Sequence, residues 1–438
     1  MNNKNEIKFT VIIPVKNRAE YLRHTLTTCT IQDYQNFQVI VSDDGSTDNL
    51  REVVEEAARK DPRIIYVSPN NGLSVGMRDN FEYALNLVTE GFVIALGGDD
   101  GLLPNSISKM AKIIKETKQS VISWPAPTYI YPGAGIETGQ LILYTKFGRL
   151  KNGFTILNSK EFLKRQSVNL SYASDLYSPM FYVKGAVSIE LINKVKSRSN
   201  ENRFYLCPTP DGYSGIVIAG EIETYAYSYE PLSIFGLSSN SQGMNYLSSD
   251  EKAIKHSQTF FSNVSKVPMH KELASQPYSP LIALMTADYL LTASDLIGWP
   301  GKFPAINFKK MIIKSIEELS HGLYSDNRLE RELKILYEIA KHHRLEKFYV
   351  KAIAKKRKYV KKTPIEGNAL SLNRLFLDCT LYQINDILDA AYTVSIMYRI
   401  LPNTSFRTIF DAILNSFKFK INSNKIGGSF PNKSTWQL

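Results

Sequence analysis

Across its first 125 residues the chain alternates between apolar runs of strand length and amphipathic stretches of helix length, and this rhythm restricts the fold more than any other feature. Phe9 to Val15 is a β-rich apolar run, followed by a helical stripe at Leu22, Thr25, Leu26 and Cys29. Phe37 to Val41 repeats the strand signal, and Leu50, Val53, Val54 and Ala57 fall at the i, i+3, i+4, i+7 spacing of one helix face. Arg63 to Val67, Phe92 to Leu96 and Ser120 to Trp124 read as further strands. Phe81, Ala84, Leu85 and Val88 mark a third helix, and Ile107, Met110, Ala111 and Ile114 a fourth after Pro104. Strands that are apolar throughout are buried on both faces, so the expected class is α/β, with a mostly parallel central sheet covered by helices on each side. Ligands in such sheets bind beyond the carboxyl ends of the strands.

From Pro125 to about Gly153, proline, glycine and tyrosine interrupt the periodicity, which predicts a long loop or small insertion. Strand-like pieces return at Met180 to Val183 and Thr224 to Tyr229. Past Asn245 the pattern turns helical, as in the stripe Leu329, Leu333, Leu336 and Ala340. The chain therefore reads as two domains, 1–245 and a mainly α-helical 246–438, within the two or three that 438 residues allow. Charge divides at the same place: 25 Lys and Arg balance 25 Asp and Glu through residue 245, whereas 28 face 17 beyond it. That excess, with the run KAIAKKRKYVKK from Lys351 to Lys362, suits an anionic partner such as a phospholipid surface or a lipid pyrophosphate, and equally a solvated helix face. The tail from Asn422 reads as frayed.

Several classes drop out. Cys29, Cys207 and Cys379 form neither a CxxC pair nor a cysteine–histidine cluster, so no disulfide framework or zinc site is expected, and a reducing compartment is the natural home. The N-terminus lacks the apolar stretch of a secretory signal, and the longest apolar candidate, Ser279 to Trp299, is interrupted by Asp288 and Asp295. The expected location is cytoplasmic, with peripheral contact to the inner face of the cell membrane as an option for the basic part. The basic run carries no recognition motif, which argues against nucleic acid. The pair His342 and His343 shows no metal-ligand spacing, most tyrosines read as structural, and Trp124 is singled out for an acceptor side.

Two strands end in acidic clusters. In FQVIVSDDGSTDN the strand runs into Asp43, Asp44 and Gly45, and Ser46, Thr47 and Asp48 are placed to cap the next helix. The plain alternative is an Asp-Gly turn. A carboxylate there can also accept from a nucleobase imide, and helix-start amides nearby favour phosphate. In FVIALGGDDGLLP two glycines precede Asp99 and Asp100. Adjacent carboxylates repel, so a site that keeps them together holds a cation or raises one pKa. Hard oxygen ligands without His or Cys point to Mg²⁺ or Mn²⁺, which also binds substrate phosphates.

With these clusters in view, the chain resembles the family 2 glycosyltransferases of the nucleotide-sugar-binding GT-A fold. The resemblance is carried by TVIIPVKNRAEYLRHTL, FQVIVSDDGSTDN, NNGLSVGMRDNFEYAL and FVIALGGDDGLLPNSI, about the first 110 residues, and more weakly by PDGYSG from Pro210 and YEPLSIFG from Tyr229. It implies that Pro14, Val15 and Asn17, with Arg18 nearby, hold a uridine, that Asp44 beside Asp43 binds the base, and that Arg78 or Asp79 contacts the nucleotide. It also implies that Asp99 binds a cation bridging the donor diphosphate, with Asp100 in support. Gly97 stands where the family usually has the first Asp of that motif. Asp211 in PDGYSG is the match for the base that activates the acceptor hydroxyl, with an Asp-Gly turn as its plain alternative and Asp175 and Glu221 as substitutes. The expected activity is inverting transfer from a nucleoside diphosphate sugar, UDP-linked, to a surface glycan such as capsule or lipopolysaccharide, or to a lipid-linked acceptor. A degenerate sugar-nucleotide-binding scaffold and a sugar nucleotidyltransferase are the alternatives, the latter disfavoured by the lack of an early glycine-rich, basic phosphate loop.

Overall fold

The computed structural model describes residues 6–144, 153–239, 241, 261, 264, 266–320, 326–355, 367–370 and 373–400. The expected boundary at 245, most of the basic run and the tail from Asn422 lie outside these residues. Strands β1 (Phe9–Val15), β2 (Phe37–Asp43), β3 (Ile64–Val67) and β4 (Phe92–Ala95) run parallel in the order β3-β2-β1-β4. Every residue of β1 is buried, as its unbroken apolar run requires. Ile12 enters one core with α3 (Met77–Asn86), while Val11, Ile13 and Val15 enter the other with α1 (Ala19–Thr30), α2 (Leu50–Lys60) and α4 (Ser106–Thr117). Each fully buried Leu or Ile of these faces contributes about 2 kcal/mol.

Beyond β4 the sheet becomes mixed. β10 (Gly185–Ser188) lies antiparallel between β4 and β6 (Val121–Ser123), β11 (Thr224–Ser228) is parallel to β6, and β9 (Phe154–Asn158) closes the edge antiparallel to β11. A second sheet has the order β13-β14-β8-β7-β12-β5, from β5 (Gly101–Leu102), β7 (Thr128–Ile130), β8 (Gln140–Tyr144), β12 (Ser233–Leu237), β13 (Ala369–Leu370) and β14 (Arg374–Asp378). Two pieces of the segment expected to be a loop or small insertion from Pro125 to Gly153, Thr128–Ile130 and Gln140–Tyr144, are thus strand, and β8 pairs with β14 some 230 positions later, a register that no local pattern encodes.

The chain after 266 is mainly helical but not uniformly so. α8 (Ile282–Ser294), α9 (Phe308–Leu319), α10 (Asp326–His342) and α11 (Glu346–Lys355) form a core of their own, while β13, β14 and α12 (Ile387–Ile400) pack on the second sheet. α8 is the apolar candidate segment of the sequence. It faces two cores at once, Ala283, Leu284 and Ala287 toward the helices and Met285, Tyr289, Leu290 and Ala293 toward α7 (Asp211–Glu221) and the first sheet. Among the described residues no helix is long and apolar enough to cross a membrane.

Candidate functional site

Parallel pairing sets Val15 opposite Asp43, so the loops after β1 and β2 leave the sheet side by side. They are tied together: the Asp44 amide donates to the Val15 carbonyl at 2.9 Å, the Asn17 amide to Ser46 Oγ at 2.9 Å, and the Thr47 amide to Asn17 Oδ1 at 2.7 Å. Asp48 accepts from the Ala19 amide at 2.9 Å and so caps α1. The expected capping of α2 is not found, because its N-cap is Asn49 without a side-chain bond. The shared register brings the start of α1 within reach of the Asp48 side chain.

The two carboxylates of the first cluster diverge. Asp43 Oδ1 accepts from the Ser46 amide and Oδ2 from the Tyr66 hydroxyl, both at 2.9 Å, so it braces its own turn. Asp44 reaches across to the segment before α3, accepting from the Ser74 hydroxyl at 2.8 Å, the Val75 amide at 2.6 Å and the Gly76 amide at 3.2 Å, with Lys16 Nζ at 3.9 Å. Gly45 has φ +69°, and a Cβ there would lie 2.5 Å from the Gly72 carbonyl oxygen.

The second cluster lies at the end of β4, on the other side of β1. Asp99 forms an ion pair with Arg18, and its Oδ2 accepts from the Ser238 hydroxyl at 2.7 Å. Arg18 also donates to Ser238 Oγ at 3.2 Å. Burial works against the guanidinium's charge, and Asp99, with smaller contributions from Tyr182 and Asp100, more than offsets it. Asp100 is fully buried, with Oδ2 accepting from the Gly97 amide at 2.6 Å and Oδ1 from the Gly236 amide at 2.8 Å. Burial first and the Asp99 charge second push its carboxyl up to about 8, against the pull of the two amides. Gly236, from YEPLSIFG, is required by close approach, since a Cβ there would stand 1.8 Å from the Asp99 carbonyl oxygen.

Asp211 opens α7. Its carboxylate accepts from the Tyr172 hydroxyl at 3.2 Å and the Tyr289 hydroxyl at 3.4 Å, and burial raises its pKa against those bonds. Of the substitutes, Asp175 is bound by Arg165 and Gln166, and Glu221 is paired with Arg198 and Lys194 at the far end of α7. Arg78 pairs with Asp79, which also meets Arg203. Trp124 is fully buried, with its indole N–H on Ser233 Oγ at 2.7 Å, so the acceptor-side expectation for it is corrected: it packs in the core. The sequence reading also missed that His342 and His343 meet Glu272, with ligand atoms within 4.8 Å of one another, because that grouping joins α10 to a segment some 70 residues earlier.

Tyr182 is the residue that sequence reasoning passed over. Its strand-like piece pairs with Ala95 of β4, and its ring packs edge-on against Phe81 at 5.6 Å. Burial, then Asp100 and Asp99, hold its hydroxyl well above the usual tyrosine pKa. Arg18 opposes this, and Asp211 adds to it from the α7 side. Only the tertiary pairing with β4 marks it.

A divalent cation finds a hard donor in Asp99, whose contacts fall on Oδ2, while both oxygens of Asp100 are taken by amides. Among the described residues no third carboxylate or imidazole joins them at ligand distance. The residues fit an ion that takes one carboxylate from the protein and the rest of its shell from diphosphate and water.

The family model for glycosyl transferase family 2 matches residues 10–167. Glycosyltransferase GlyA of Streptococcus pneumoniae is 33% identical over 115 residues, 26% of this chain and 16% of that protein. The GalNAc(5)-diNAcBac-PP-undecaprenol beta-1,3-glucosyltransferase of Campylobacter jejuni is 32% identical over 109 residues, 25% of this chain and 35% of that protein. The chain thus spans about a third or less of the length of these curated relatives. Among solved structures, a fragment of S. aureus TarS in complex with UDP aligns over 83% of this chain and 95% of its own, at 16% identity and a TM-score of 0.44.

Proposed function

Since residues 10–167 match the glycosyl transferase family 2 model, we propose that this chain moves a sugar from a uridine diphosphate sugar to a hydroxyl of a growing surface glycan or lipid-linked acceptor, inverting the anomeric carbon. The observation that carries the reading is the convergence at one sheet edge, where the Asp44 loop and the Arg18–Asp99 pair flank the end of β1. A relative named for an undecaprenol pyrophosphate acceptor supports the lipid-linked alternative, and the basic excess after residue 245 suits an anionic membrane face.

In this reading Pro14, Val15, Asn17 and Asp44 take the nucleoside, Asp43 braces their turn, and Arg78 and Asp79 border the nucleotide. Asp211 accepts the proton of the attacking hydroxyl, and its raised pKa makes it a stronger base than a solvated carboxylate. As the new C–O bond forms, the bond from the anomeric carbon to the diphosphate oxygen breaks, and its electron pair leaves with the nucleoside diphosphate. Arg18 places positive charge beside that leaving group. Asp99, with Asp100 behind it, would hold Mg²⁺ or Mn²⁺, which would supply further positive charge there. Residues 1–245 are the transfer domain and 246–438 its basic partner, which reaches the base through Tyr289 of α8.

The test is release of nucleoside diphosphate from a panel of UDP-sugars with Mn²⁺. Asp211→Asn is expected to cut turnover at least about a hundredfold while leaving donor binding intact. Wild-type kcat is expected to fall toward acid pH as Asp211 takes up a proton, with a midpoint above the usual aspartate range. Unchanged turnover in the variant removes Asp211 from the chemistry. Release of pyrophosphate instead marks a nucleotidyltransferase, and donor binding without any turnover marks the degenerate scaffold that Gly97 raises.

A further inference from the structure

Position 97 has no side chain, and the space is not empty. A Cβ built on Gly97 would lie 2.9 Å from the Tyr182 hydroxyl oxygen, 2.9 Å from Asp100 Oδ2 and 3.2 Å from Asp99 Oδ1. The Tyr182 hydroxyl therefore stands over the glycine, beside both carboxylates of the acidic motif. Among the described residues it forms no hydrogen bond, although Asp99, Asp100, Arg18 and Asp211 all surround it electrostatically.

The backbone that delivers this hydroxyl is strained. Val183, β-branched, has φ +62°, and the Lys184 amide donates to the Tyr182 carbonyl at 2.9 Å across it, closing a three-residue turn of the less stable hand. The Val183 amide then donates to the Ala95 carbonyl at 2.7 Å, locking the turn to the end of β4. Strain of this kind persists where the surrounding structure over-determines it, and it gathers at ligand sites. Here it aims a donor with no hydrogen-bond partner among the described residues at the acidic motif.

We propose that the Tyr182 hydroxyl, held over Gly97, is a donor-binding group that hydrogen-bonds the diphosphate of the sugar nucleotide directly. The inference rests on the sugar-nucleotide reading of this site. Its chemistry follows from charge: an anionic diphosphate approaching Asp99 is repelled by that carboxylate, and a neutral phenol contributes a hydrogen-bond donor without adding negative charge.

The experiment measures binding of UDP and of uridine by calorimetry, each with Mn²⁺ and with EDTA, to wild type and to Tyr182→Phe, which keeps the ring packed on Phe81. The expected result is a roughly ten- to hundredfold weaker UDP affinity in the variant, in both Mn²⁺ and EDTA, with uridine binding unchanged. Gly97→Ala provides the second arm. Its methyl group presses on the hydroxyl, so it too weakens UDP in wild type, and it costs less in the Tyr182→Phe background, where the oxygen is gone. Equal UDP affinity in wild type and Tyr182→Phe overturns the assignment while leaving the sugar-nucleotide reading in place. A loss confined to Mn²⁺ overturns the direct contact. Wild type that binds no UDP in either condition overturns both.

Discussion

The chain writes Asp-Asp-Gly twice at strand ends, at 43–45 and at 99–101, and the fold uses the two copies in opposite ways. In the first, the leading carboxylate braces its own turn and the second reaches out to hold the segment before α3. In the second, the leading carboxylate meets Arg18 and Ser238, while the second is sunk beneath two backbone amides with its pKa lifted to about 8. Identical words therefore carry exchanged roles, and the exchange is set by what crosses above each strand end. A loop from the same side of the sheet covers the first, whereas β12 and the residues after it, some 135 positions later, cover the second.

Substitutions test that exchange. The largest effect is expected from Asp99→Ala, with donor-dependent turnover falling at least about a hundredfold in a protein that still folds, at a cost in stability because the largely buried Arg18 guanidinium loses its carboxylate. Loss of folding instead would move Asp99 into the structural class. Asp100→Ala is expected to do the reverse, lowering unfolding free energy by about 2 kcal/mol or more in a denaturant titration, since two buried amides lose their acceptor. With a pKa of about 8 the group is largely protonated at neutral pH, so its removal relieves little buried charge. The smallest effects separate the glycines. Gly45→Ala should cost about 1–2 kcal/mol, from its φ of +69° and the Gly72 carbonyl 2.5 Å from the added methyl. Gly101→Ala should cost less, because its nearest neighbours are side-chain carbons of Ile387, Thr28 and Ile234 at 3.1 to 3.3 Å, which can give way. Equal melting temperatures for the two glycine variants would break the comparison.

The partition between local and distant causes runs through the fold as well. The four parallel strands and their helices were legible because β1, β2 and β4 are apolar on both faces and their helices keep a regular stripe, so burial alone dictates the layers. Pro125 to Gly153 was not legible, since β7 and β8 become strands only by pairing with β12 and β14 from far along the chain. Trp124 misled for a related reason: a strand-end aromatic before proline suits an exposed platform or a core plug equally, and the Ser233 hydroxyl that satisfies its indole lies 109 residues away.

Sequence by itself determined the class of the fold and the strand ends that carry acidic clusters, because hydrophobic periodicity and strand-terminal residues are local and burial enforces them. Tertiary structure alone decided which carboxylate is braced, which is paired with Arg18 and which is sunk beneath amides with its pKa raised, and it brought Tyr182 over Gly97. Those outcomes depend on desolvation and on partners supplied by distant segments, and neither can be read from neighbours along the chain.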